Sequence, residues 1–278
     1  MKGILIVKVL FLAMFAAVLL APFTFLKPVT FVPVVTEEEI PSEIVVPQVE
    51  QPRHKVDLPD FAAITDIKEK KRQFFDFLRP AIIQENNRLS DIRNQLLALQ
   101  VKLAMDAELG EQGHLLVERL GNEYRIDPDL PLNARVEELL NRVDLMPVSL
   151  VLVQAANESA WGTSRFARIG LNFFGLWCYR PTCGMVPNGR VSGATHEVAA
   201  FSSIEHAVQR YIHNINTNPA YDVFRSIRAQ LRLEKQPLRA EILATGLVPY
   251  SERGSDYVLE LTNMIRHNQS YLEPAESD

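Results

Sequence analysis

Between Val148 and Gly162 the chain reads VSLVLVQAANESAWG, and a single carboxylate, Glu158, closes an otherwise largely apolar segment. A helix that is apolar on every side is a buried one. Gln154 and Ala155 stand one turn before Glu158 on the same helix face, so the acid lies over a small-residue face with space above it. A carboxyl group stripped of its hydration resists ionisation, so its pKa rises and it can hold a proton near neutral pH for delivery to a leaving group. A Glu at a fraying helix end is ordinarily just solvated. The apolar run leading up to Glu158 speaks against that reading here.

Helical periodicity supplies the frame that must hold this acid. Ile64, Ile67, Phe74, Phe75 and Leu78, then Ile82, Leu89, Ile92, Leu96, Leu99 and Leu103, recur at helical intervals. Pro80 divides the stretch: it pushes Arg79 off helical geometry yet suits a first helical position, which predicts two helices or one kinked helix. Further helices are expected at about 114–120, stopped by Gly121, at about 134–143, and from near Pro147. Ser202-Ser203-Ile204-Glu205 reads as a capping box opening a helix with Ala207, Val208, Tyr211, Ile212 and Ile215 on its apolar side. The region from Val186 to Phe201, with Gly184, Gly189 and Gly193 about it, has the turn-and-short-strand pattern of a hairpin.

The 278 residues allow one or two domains, and 47% hydrophobic with 23% charged residues are globular proportions. A net charge of -5 without a Lys/Arg cluster lacks the electrostatic footprint that nucleic-acid phosphates require, so nucleic acid is set aside as a partner. Lys2 precedes a nearly unbroken apolar run from Ile4 to Leu26, long enough to span ~30 Å of hydrocarbon. Lysines at its start predict a cytoplasmic N-terminus and an exported, periplasmic body. Leu19-Leu20-Ala21-Pro22 is a poor cleavage site, so residues 1–26 are expected to remain as an inner-membrane anchor rather than leave as a signal peptide. Pro28, Pro33, Pro41, Pro47, Pro52 and Pro59, with interspersed glutamates, make residues 27–59 an extended linker. The only cysteines, Cys178 and Cys183, have four residues between them, and on the exported side of a membrane they are expected to form a disulfide. A zinc site would need further ligands and His196 alone does not suffice, so neither a metal nor another cofactor is expected.

Gln154-Ala155-Ala156-Asn157-Glu158-Ser159-Ala160-Trp161-Gly162-Thr163-Ser164, followed by Asn172-Phe173-Phe174-Gly175-Leu176, resembles the glucosaminidase family of bacterial peptidoglycan hydrolases, glycoside hydrolase family 73. The resemblance implies a mainly α, lysozyme-like helical domain with a small β-hairpin lobe, here residues 140–274, and the apolar stripe of the preceding helical region, 60–139, is expected to pack on it. The resemblance also implies action on N-acetylglucosaminyl bonds in peptidoglycan glycan strands, with Glu158, the acid of the Glu-Ser-x-Trp-Gly motif, as catalytic acid. Glycoside hydrolysis usually requires a second carboxylate or a substitute for one. Glu197 in Thr195-His196-Glu197 resembles the family's Thr-x-Glu stretch, whose Glu is base or nucleophile in some members. Asn218-Pro219-Ala220-Tyr221 resembles the stretch that carries the family's Tyr near the reacting sugar. Tyr221 is accordingly the candidate there, with Tyr211 the less favoured one.

Sugar C–H faces stack on aromatic rings, whereas aromatics at helical spacing are more often core. Trp161 and Phe173 are therefore assigned to packing and Trp177 to sugar contact. Where many family members continue from Asn-x-Phe-Gly with a Lys, this chain has Leu176-Trp177-Cys178-Tyr179, which alters the expected cleft. Two other functions share the fold: a catalytically idle glycan-binding scaffold, and a lytic transglycosylase. The latter also ends a helix on Glu-Ser, but its Gly-Leu-Met-Gln motif is missing here.

Overall fold

The computed structural model describes residues 50–190, 193 and 195–272, which belong to one unit beginning at Glu50. The expected anchor, residues 1–26, and most of the linker lie outside the described residues. No helix among the described residues is long and apolar enough to cross a membrane.

The chain is mainly helical with one small sheet, as the family resemblance implies. Helix α1, Ile67–Ala104, starts at Asp66, whose side chain accepts the Glu69 N–H at 2.8 Å. Its stripe of Phe74, Phe75, Leu78, Ile82, Leu89, Ile92, Leu96 and Leu99 is buried against helices α3 (Leu132–Arg142), α4 (Val148–Ser159) and α6 (Ile204–Thr217). Pro80 lies inside α1, which continues through it as a single helix. Pro80 and Asp76, whose carbonyl loses its partner, are both exposed, so the orphaned acceptor is on the solvent side. Gly121 likewise fails to stop a helix: α2 runs Gly110–Tyr124, and Arg125, in the left-handed region, ends it. Gly121 is buried there, and a side chain would press on the Arg135 guanidinium.

Helix α4 is the centre of the molecule, with every residue from Leu150 to Ala156 buried. After it come α5 (Arg165–Gly170) and an antiparallel sheet of very short strands, β1 (Trp177–Cys178), β2 (Gly184–Met185) and β3 (Glu197–Ala199), in the order β1-β3-β2. Trp177 and Met185 both pair with Val198. The expected hairpin is thus β2–β3 with an additional strand. Helix α6 follows, capped by Ser203, whose hydroxyl accepts the His206 N–H at 3.2 Å, with all five predicted apolar residues buried. The chain closes with a 3-10 turn Pro219–Tyr221, α7 (Asp222–Leu233), α8 (Ala240–Ala244), a second 3-10 segment Thr245–Tyr250, α9 (Ser255–His267) and α10 (Gln269–Leu272). Helices α8 and α9 pack on α4, so the residues around Glu158 come from both ends of the unit.

Candidate active site

Glu158 is the penultimate residue of α4, and the chain beyond it turns sharply. Ala160, Trp161 and Gly162 all have positive φ, and the Ser159 hydroxyl donates to the Ala155 carbonyl at 2.6 Å while accepting the Gly162 N–H at 2.8 Å. Gly162 is required twice over: its φ is +77°, and a Cβ would collide with the Phe61 ring. Trp161 packs edge-on against Phe74, with centroids 5.6 Å apart, and against Phe75 at 5.3 Å. The Ser, Trp and Gly of the Glu-Ser-x-Trp-Gly motif therefore fix the turn that leaves Glu158 at the helix end.

Burial raises the Glu158 pKa above the usual carboxylate value, while a Tyr257 hydrogen bond, the Arg253 charge and an Asn157 hydrogen bond pull it partly back. Tyr257 belongs to a buried relay. The Tyr211 hydroxyl donates to Gln154 Oε1, Gln154 Nε2 donates to the Tyr257 hydroxyl at 3.1 Å, and Tyr257 hydrogen-bonds Glu158. Tyr211 is fully buried, stacked on Phe174 at 4.2 Å, so it reaches Glu158 through this network. Tyr250 stacks on Tyr257 at 5.6 Å and donates its hydroxyl to the Phe174 carbonyl at 2.7 Å.

Tyr221 joins the same aromatic group, 6.0 Å from Tyr250. Its phenol pKa is pushed up to about 12, chiefly by burial, with the Glu158 charge adding to the shift. Arg225, itself buried, donates to the Ile215 carbonyl at 2.8 Å and the Asn218 carbonyl at 2.9 Å, and so holds the turn that carries Tyr221.

The loop Asn172–Leu176 links Glu158 to the sheet. Asn172 is buried, its Oδ1 accepting the N–H groups of Phe174 and Leu176 and its Nδ2 donating at 2.8 Å to the carbonyls of both Leu176 and Ala199. A Cβ on Gly175 would stand 3.7 Å from Glu158 Oε2. On the sheet, Glu197 accepts the Thr182 N–H at 3.0 Å and the Gly184 N–H at 2.8 Å, and these two backbone donors hold its pKa below the ordinary value. The segment it grips is closed by the Cys178–Cys183 disulfide. The sulfurs and Glu197 cluster closely enough to suggest a metal, but a disulfide offers no thiolate ligand. Trp177 is 56% exposed and stacks on His196, with centroids 4.2 Å apart and planes 10° apart.

Glu158, Tyr221 and, through Gln154, Tyr211 thus share one cluster, while Glu197, Trp177 and the disulfide lie on the sheet. Reading the sequence missed Tyr257, Tyr250 and Arg253. Only tertiary contact brings them here, Tyr257 meeting Gln154 across 103 residues.

The mannosyl-glycoprotein endo-beta-N-acetylglucosaminidase (Glucosaminidase) family profile matches residues 133–270, from α3 to α10. The chain is also 33% identical to Protein bax of Escherichia coli (strain K12) over 220 residues, covering 77% of this chain and 76% of that protein. The chain is a Bax-like member of the glucosaminidase family. No solved structure matches it. Within the matched span lie Glu158, Glu197, Tyr221 and Tyr257, whereas α1, which buries the Trp161 turn, precedes it.

Proposed function

We propose that the protein is a peptidoglycan hydrolase that cleaves N-acetylglucosaminyl bonds with Glu158 as general acid. The observation that carries this reading is the desolvated Glu158 carboxyl at the end of α4, faced by the Tyr257 hydroxyl. A raised pKa keeps a proton on Glu158 at pH values where ordinary carboxylates have lost theirs, and the glycosidic oxygen takes that proton as the C–O bond breaks. In this reading the Tyr221 phenol, grouped with Tyr250 and close enough to Glu158 to feel its charge, hydrogen-bonds the substrate's 2-acetamido group or steadies positive charge developing on the sugar ring. Exposed Trp177 would stack a neighbouring sugar on the ring face opposite His196.

The test is digestion of purified peptidoglycan by the wild type, Glu158→Gln and Glu197→Gln, with products identified by mass spectrometry. Glu158→Gln keeps the shape but has no proton to give, so release of reducing N-acetylglucosamine ends should fall by about 10²-fold or more. Wild-type turnover in Glu158→Gln would remove it as the acid. Glu197→Gln should also slow release if Glu197 is base or nucleophile, and change little if the substrate's acetamido oxygen attacks instead. Anhydro-muramic ends would show a transglycosylase, and binding without any cleavage an idle scaffold.

A further inference from the structure

Beside the Glu158 site, α1, the end of α4 and α9 enclose an open groove of about 750 Å³. We propose that this groove binds the short peptide carried by the glycan strand on which Glu158 acts. The inference rests on the peptidoglycan reading above. It concerns a separate surface and a different chemical class of contact.

The groove and the site share a wall. Asn157, adjacent to Glu158 and hydrogen-bonded to it, lines the groove, as does Arg253, whose charge acts on Glu158. A substituent hanging from a sugar at Glu158 therefore enters the groove without a long tether.

The lining fits a peptide better than a sugar. Asn157, Asn263 and Asn268 present side-chain amides, each with donors and an acceptor that match backbone C=O and N–H groups. Asn268 is only 3% exposed; its Nδ2 donates to the Met264 carbonyl at 2.7 Å, while its buried Oδ1 has no partner. A buried acceptor left without a donor is costly. A ligand N–H in the groove would satisfy it.

Charges of both signs stand there too. Arg253 and Glu260 neutralise each other at 2.6 Å, but Lys71 and Asp256 are additional, and they suit a ligand bearing both carboxylate and amino groups. The groove's one Trp, Trp161, has the Lys71 ammonium 5.4 Å over its ring, which occupies the face a sugar would stack on.

The experiment is calorimetric titration of the full-length protein with two probes: the tripeptide L-alanyl-γ-D-glutamyl-diaminopimelate, and chitotetraose, which has no peptide. The tripeptide should bind the wild type and lose about tenfold or more in affinity with Lys71→Ala and with Asn268→Leu, the change expected for one lost charged or buried hydrogen bond. Chitotetraose affinity should be unchanged in both. Lys71 is a partly exposed side chain, so its variant remains informative even if Asn268→Leu perturbs folding.

Absence of tripeptide binding to the wild type, equal tripeptide affinity in the variants, or a matching loss for chitotetraose would each overturn the proposal. The digestion of peptidoglycan by Glu158→Gln reports on the glycosidase reading alone. The two ideas can therefore fail separately.

Discussion

Glu158 stands between opposed influences, burial favouring its protonated form and the Tyr257 hydroxyl favouring the carboxylate. Removing that hydroxyl should let burial act with less opposition. In Tyr257→Phe the Glu158 pKa should rise further, and if Glu158 is the general acid proposed above, which works only while protonated, the alkaline limb of activity should move to higher pH. The pH dependence of kcat/KM for wild type and variant checks this; a limb that stays in place would show that Tyr257 does not act on the Glu158 proton. Gln154 would then lose a buried partner in the variant, so a stability loss of about 1–3 kcal/mol should accompany the shift. Glu158 itself is legible in the sequence, because an apolar helix ending in one carboxylate is a local pattern. Its tuning is not legible, since Tyr257 and Arg253 reach it only through the packing of α9 on α4.

The β-lobe depends on two fasteners, the Cys178–Cys183 disulfide and the Glu197 carboxylate that accepts the Thr182 and Gly184 N–H groups. They act on the same short segment, so losing one throws the load on the other. Joint replacement of Cys178 and Cys183 by Ser should lower stability by about 2 kcal/mol, the small value expected for so short a loop. It should also weaken glycan binding if Trp177, the residue before Cys178 in β1, makes the sugar contact proposed above. Urea denaturation and glycan pull-down of the double variant measure both effects; unchanged values in both would mean the disulfide holds nothing that matters. At this scale the sequence was uneven. The start of α6 and its apolar face are readable, as is the hairpin region, but the cap is Ser203 with His206 three residues on, so the expected capping box with Glu205 does not form. Strand β1, only two residues long, has no alternation to detect. Gly121 misleads when read locally, and at Pro80 the chain takes the one-helix alternative rather than two, because α1 and α2 are long, packed helices in which tertiary burial outweighs one unfavourable residue.

At the scale of the molecule, the helices are tied together where three arginines meet one acid. Asp144, 2% exposed, lies just before α4 and faces Arg93 of α1 at 3.4 Å and Arg228 and Arg232 of α7 at 3.8 and 2.7 Å. Arg228 also donates to the Asn141 carbonyl at 3.1 Å and to Asn216 Oδ1 at 2.8 Å, which brings in α3 and α6. No spacing in the sequence announces this knot, since its members are scattered over 140 residues and each alone reads as a surface charge. Burial opposes ionisation of Asp144, but the charges of Arg228, Arg93 and Arg232 and the Arg232 hydrogen bond outweigh it and hold the pKa below the ordinary value.

The sign of the pH dependence follows: with the folded pKa lowered, this contribution is complete above the unfolded value of about 3.9 and is lost as pH falls through the folded one. Asp144→Asn leaves three guanidinium groups without their counter-charge and should cost about 3–5 kcal/mol at neutral pH. Urea denaturation of wild type and variant between about pH 3 and 7 should show that gap holding steady down to about pH 5 and narrowing below pH 4. A gap of the same size at every pH would mean that Asp144 contributes by shape and hydrogen bonding rather than by charge. The knot adjoins the start of α4 and Glu158 closes its end. Under conditions where the variant remains folded, the pH dependence of its turnover should therefore match that of the wild type, which separates the residue that holds the helices from the residue proposed to deliver the proton.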